Sequence, residues 1–126
     1  MERLGLLLQI ARIGNIDFQR RCVVNGTKEG GYINLFELIE TTTYAAKHKA
    51  THPVLSKNLS PAERETLIQF HDHVDAIYGL IPWRDQTVTN ADIVERDARM
   101  REVRDAANQC IQAIGISFTT EELMDA

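Results

Sequence analysis

Two pairs of carboxylates, Glu37-x-x-Glu40 and Asp72-x-x-Asp75, are the residues of this 126-residue chain best suited by type and spacing to chemistry. Carboxylates one helical turn apart on neighbouring helices suit Mg²⁺, a hard cation that retains water and assists reactions at phosphate. Such ligands must face into the space between their helices. The helical period puts Glu37 and Glu40 opposite the apolar stripe of their own helix, and Asp72 about 160° from the centre of its stripe. Two solvated acidic faces account for the same residues. Glu37, Glu40, Asp72 and Asp75 are therefore metal ligands only under an alternative reading.

The two acidic pairs resemble those of the all-α nucleoside-triphosphate pyrophosphatases over about 40 residues. The resemblance implies a Mg²⁺-dependent nucleotide hydrolase, although the second pair in those families is Glu then Asp and the intervening segment is shorter. A second resemblance, to the C-terminal helical domain of cysteinyl-tRNA synthetases, rests on three stretches. These are Leu35-Phe36-Glu37-Leu38-Ile39, Asp75-Ala76-Ile77-Tyr78-Gly79-Leu80, and Gly115-Ile116 after a charged helix. The charged-helix spacing departs from that family by about one turn, and no function is carried over from it.

The histidines fall in two near pairs, His48/His52 and His71/His73, and His71 stands four residues before Asp75. That spacing can orient an imidazole or chelate a metal, but a surface hydrogen bond explains it as well. The acid-free stretch Thr41 to Ala62 carries Lys47, His48, Lys49, His52 and Lys57, preceded by Arg20, Arg21 and Lys28. Together they form a candidate binding patch for a phosphorylated ligand or nucleic acid. Few aromatic residues are interleaved, which argues against base stacking.

Composition narrows the remaining classes. The net charge is −4, and it splits into +2 over residues 1–63 and −6 over residues 64–126. An acidic chain of this kind is a poor binder of nucleic acid, whereas its two halves can complement each other within one fold or across a dimer. Cys22 and Cys110 are 88 residues apart without a zinc spacing, so both read as buried structural thiols. Gly30-Gly31 lacks the Lys of a phosphate loop, and the serines lack a nucleophile-elbow setting. The N-terminal apolar run is broken by Gln9 and Arg12. It is too short to span a bilayer and has no small-residue cleavage site, so a cytoplasmic protein without membrane contact is expected.

The elements that must position these residues are helical. Leu4, Leu7, Leu8, Ala11 and Ile13 give a wide apolar face to a helix over Glu2–Ile13, stopped at Gly14-Asn15. Residues 16–24 read as a short helix capped by Asn15, or as a strand, because Asn25-Gly26 is a favoured hairpin turn. A helix over Asn34–Lys49 turns Leu35, Leu38, Ile39, Thr42 and Ala46 inward. Ser60-Pro61-Ala62-Glu63 reads as a capping box opening a helix that runs to about Tyr78 and ends at Gly79. Leu80 to Thr89 is a connector whose Trp83 plugs the edge of the core.

Asn90 is expected to cap one long last helix, Ala91 to Ile114, braced by Asp92–Arg96, Glu95–Arg99 and Asp97–Arg101. Its seam of Ile93, Arg96, Met100, Val103, Ala107, Cys110 and Ile114 alternates steps of three and four, the spacing of a helix packed along one partner. These residues form the expected interface of a homodimer. Thr119-Thr120-Glu121-Glu122 caps one further turn. The reading is therefore a single all-α domain over residues 1–126, a compact bundle of four to five helices, with a small β-hairpin near residues 20–33 as the variant. Its expected function is a non-catalytic interaction or regulatory module, without cofactor, that self-associates or binds a protein partner.

Overall fold

The computed structural model describes residues 2–27 and 30–124. Among them lie seven α-helices and no strand: α1 Arg3–Gly14, α2 Ile16–Gln19, α3 Leu35–Thr51, α4 Pro61–Ile77, α5 Asn90–Arg96, α6 Ala98–Ile114 and α7 Thr120–Met124. The all-α class is as the sequence reads. The count exceeds the four or five helices expected, because two connecting segments are themselves helical and one long helix is split. No described helix is long and apolar enough to cross a membrane.

No hairpin strand forms among the described residues of 20–33. Asn15 accepts a hydrogen bond from the Phe18 amide at 2.8 Å and starts α2, which continues into a π-helical turn over Arg20–Val24. Asn25-Gly26 closes that turn, with Gly26 at φ 97°. The chain then returns without a ladder, and Ile33 N–H donates to the Cys22 carbonyl at 2.9 Å. The helix wins because Phe18, Cys22 and Val23 all become buried when residues 16–24 coil.

The four longest helices make a closed circuit in which α1 packs on α3 and α6, and α4 packs on the same two. The core is aliphatic: Leu6, Leu7, Ile10 and Ile13 of α1 meet Ile39, Leu67, Val74, Met100 and Val103. Gly14 lets α1 approach α6 closely, since a Cβ there would stand 2.2 Å from Asn108 Oδ1. A second small cluster gathers Ala11, Phe18, Cys22 and Leu123, and α7 covers it.

Local capping explains where the helices begin. Asn34 accepts from the Glu37 amide at 3.0 Å and Ser60 from the Glu63 amide at 3.1 Å. Glu63 does not complete a box, because its carboxylate pairs with Arg3 at 3.0 Å. The reciprocal boxes form instead at Thr89/Asp92 and Thr119/Glu122. Hydrogen bonds to the Thr89 amide and hydroxyl hold the Asp92 carboxyl below its ordinary range. Asn90 is thus the first residue of α5 rather than its cap.

The expected single helix over 91–114 is broken at Asp97. Asp97 is extended (φ −74°, ψ 120°), and its carboxylate caps the Arg99 and Met100 amides. The bend redirects the side-chain pairs: Glu95 makes a bidentate pair with Arg20 instead of meeting Arg99. Gly115, at φ 84°, then ends α6 with its N–H on the Gln112 and Ile111 carbonyls, a left-handed cap that suits glycine.

Two outcomes check this packing. Ser60→Ala removes the acceptor at the start of α4 and should cost about 1 kcal/mol in chemical denaturation. A change indistinguishable from zero would show that the cap contributes nothing. Val103→Glu puts a carboxylate at a position with no solvent exposure. It should cost about 3 kcal/mol or more and abolish the cooperative thermal transition seen by circular dichroism. A folded Val103→Glu monomer in light scattering would contradict the packing.

Candidate functional site

The start of α3, the end of α4, the connector after it and the first residue of α5 enclose a cleft of about 1050 Å³. The connector is held from both sides. The Trp83 indole N–H donates to the Tyr78 carbonyl at 2.7 Å, and the Arg99 guanidinium donates to the Leu80 carbonyl. Further along, Asp85 accepts from the Thr87 amide at 2.9 Å and from its hydroxyl at 2.6 Å. Those two bonds, the hydroxyl's first, keep the Asp85 carboxyl below its ordinary range. The walls of the cleft are therefore fixed by named contacts rather than by a free loop.

Aromatic rings dominate the lining. The chain has only eight Phe, Tyr and Trp residues, and four of them, Tyr32, Phe36, Tyr78 and Trp83, border this one cleft. Phe36 is the hub. Its ring lies 5.8 Å from that of Tyr78, tilted by 37°, and 5.6 Å from that of Trp83, edge-on at 65°. Tyr32 stands at the rim with 67% of its surface exposed. The polar groups are Asn34, Asp75, Arg84, Asp85 and Asn90. Glu40 reaches the same place from α3, accepting from the Tyr78 hydroxyl at 3.4 Å. Burial first, then the Glu40 and Asp75 carboxylates, push the Tyr78 phenol above its usual value.

Of the four carboxylates considered as metal ligands, the structure brings Glu40 and Asp75 near the Tyr78 phenol, where Glu40 accepts its hydrogen bond. Glu37 is exposed in the first turn of α3, and Asp72 pairs with His71 at 2.8 Å. Among the described residues no three His, Cys, Asp or Glu side chains gather closely enough to hold a metal ion. His73 meets Glu102 on α6 at 3.2 Å, so neither member of the His71/His73 pair turns toward Asp75 in a chelating arrangement.

The basic residues of 41–62 divide. Tyr44, His48 and His52 form a ladder of rings at 5.7 and 5.3 Å on the outer face of α3. His52 uses Nδ1 to accept from the Val54 and Leu55 amides, which makes it a cap for the following turn. Lys47 and Lys57 are exposed and Lys49 is half-buried, but none of the five borders the cleft. Arg20 and Arg21 point elsewhere, pairing with Glu95 and Glu121 from the acidic half of the chain. Lys28 lies outside the described residues.

The seam expected to face a second copy lies in this chain's own core. Ile93, Met100, Val103, Ala107 and Cys110 are buried, Ile114 is half-buried, and Arg96 is exposed beyond the bend. Its three–four spacing reflects packing against α1 and α4. Cys22 and Cys110 are both buried, and burial pushes the Cys110 thiol up to about 12, leaving it protonated and inert. Comparison with protein-family models, with curated proteins and with solved structures finds no match.

The pairing of Asp72 with His71 and the exposure of Glu37 have a direct consequence. Mg²⁺ or Mn²⁺ at millimolar concentration should leave the melting temperature of the protein unchanged, and Glu40→Gln should behave identically. A metal-dependent rise that Glu40→Gln removes would restore the hydrolase alternative, because a ligand that binds only the folded state must stabilise it.

Proposed function

We propose that this chain is a non-catalytic interaction module that docks a partner in the aromatic cleft between α3, α4 and the connector. The observation that supports it most is the placement of the aromatic side chains. A chain with a mainly aliphatic core has set half of its rings around one opening, where Phe36, Tyr78 and Trp83 stay half-buried and Tyr32 is largely exposed. Rings of this kind supply large, rigid contact area at little cost in side-chain entropy, which is why they anchor binding sites. The lining lacks a nucleophile beside a base. The Asp85 carboxylate is engaged by the Thr87 amide and hydroxyl, so binding accounts for the site better than catalysis does. The same argument ranks the cleft above the outer face of α3, where the basic residues lie on an open surface.

Peptide selection on the immobilised chain tests the proposal. Enriched peptides should lose binding to Tyr32→Ala and Phe36→Ala, and should keep it for Gln112→Ala on the exposed face of α6. Each anchor should contribute about tenfold, in line with truncation of an aromatic contact. Tyr32 is largely exposed, so its replacement leaves the fold intact. Peptides indifferent to both cleft variants, or no enriched peptide at all, would overturn the proposal.

A further inference from the structure

We propose that the cleft's occupant is a basic segment of a partner protein, with an arginine or lysine side chain seated against the aromatic rings and answered by the rim carboxylates. This inference rests on the docking reading above and specifies its chemistry. Three features of the cleft support it together.

The first is the rings themselves. The face of an aromatic ring carries negative charge density and attracts a cation within about 6 Å of its centre. Phe36 meets Tyr78 tilted and Trp83 edge-on, and all three rings line the cleft half-buried rather than enclosed. The flexible apolar stem of a lysine or arginine can lie along such rings while its charged end stays near water.

The second is the charge at the rim. Among the described residues, Asp75 and Asp85 line the opening against the cation Arg84, and Glu40 accepts from the Tyr78 hydroxyl. The C-terminal end of α4 adds partial negative charge at Asp75–Tyr78. The N-terminal end of α3 brings the opposite sign, but Glu37 in its first turn offsets it. Among the described lining residues an anionic ligand would meet two carboxylates and one guanidinium, whereas a cationic one is complemented.

The third is size. About 1050 Å³ is at the upper limit for a site that encloses a small molecule. Tyr32, Asn34, Asp75, Arg84, Asp85 and Asn90 are all exposed along the rim. An open trough of that volume suits several residues of extended chain, with one cationic side chain entering among the rings. Arg84 then lies where it can meet a carboxylate or a backbone carbonyl of the same segment.

Trp83 is the chain's only tryptophan, so its fluorescence reports on the cleft alone. Capped peptides carrying a central arginine, its neutral isostere citrulline, or a glutamate, each flanked by leucines, form the probe series. The arginine peptide should bind about tenfold tighter than the citrulline peptide, and the glutamate peptide more weakly than either. The advantage of arginine should fall to within about threefold in the Asp75→Asn/Asp85→Asn double variant and shrink as salt is raised. Both positions are exposed, and asparagine retains the oxygen that accepts from Thr87, so the variant keeps its fold. An unchanged thermal transition checks this.

Equal binding of arginine and citrulline, lost in Tyr32→Ala, would overturn the cationic specificity and leave the docking reading standing. So would the glutamate peptide binding most tightly. A Trp83 emission that responds to none of the three peptides would overturn both.

Discussion

A helix end cannot be buried with its carbonyls unpaired, and the burial of the C-terminal end of α1 is the constraint on which the rest of this molecule depends. Residues Ile10 to Gly14 are all buried, in the space where α1 meets α6 and α2. The Gln19 side-chain amide donates to the Arg12 and Ile13 carbonyls at 3.2 and 2.7 Å, and Asn108 donates to the Gly14 carbonyl at 3.0 Å. Gln19 in turn accepts from Arg104 on α6 at 3.0 Å. Arg12 donates twice, at 2.9 and 2.7 Å, to the Leu123 carbonyl, and so ties α7 to the same centre. Burial lowers the affinity of both guanidinium groups for their protons, yet arginine stays charged in proteins. Their hydrogen bonds are therefore charge-assisted, and they tie α1 to α7 and α6 to α2.

With α1 sealed in this way, aliphatic side chains suffice to fill the core. Leu6, Leu7, Ile10 and Ile13 are almost wholly enclosed, and Met100, Val103 and Ala107 close over them from α6. The larger rings of α3 and the connector gather instead around the cleft, whose Ile33 packs against the small cluster of Ala11, Phe18, Cys22 and Leu123. There α3 and α4, packed side by side, bring Phe36 beside Tyr78, and the bond from Trp83 to the Tyr78 carbonyl folds the connector back over both. The cleft is thus a consequence of how two helices end, and its rigidity comes from backbone hydrogen bonds rather than from a ligand. A preformed aromatic opening loses little conformational freedom on binding, which favours a recognition role.

Much of the helical framework is legible in the residues. Ser60 announces α4 and its cap forms, whereas Asn34, read as the first residue of its helix, proves to be the cap of α3. The inward set Leu35, Ile39, Thr42 and Ala46 is buried as its period requires, with Leu38 half-buried at its edge. The break at Asp97 is not legible from hydrophobic spacing, because the three–four pattern runs on unchanged across the bend. A carboxylate that caps two amides competes successfully with helix continuation there, and only the pairing of Glu95 with Arg20, far away in sequence, decides between them. Gln19 looks like any polar position in an ambiguous segment until α1 ends beside it. The cleft is invisible for the same reason: Tyr32, Phe36, Tyr78 and Trp83 share no period and meet only when the two helices pack. The one local signal was the Pro82-Trp83 pair in a connector with little else to bury it.

Quenching of Trp83 fluorescence by small ions tests the central claim, an open aromatic cleft with acidic edges, without any partner in hand. Caesium and iodide at matched ionic strength probe the same indole with opposite charge. If Asp75, Asp85 and Glu40 set the local potential, the caesium-to-iodide quenching ratio should exceed that of free N-acetyltryptophanamide by about twofold. The Asp75→Asn/Asp85→Asn protein should bring the ratio back toward the free value. A ratio equal to or below that of the free amide in the unmodified protein would contradict the account.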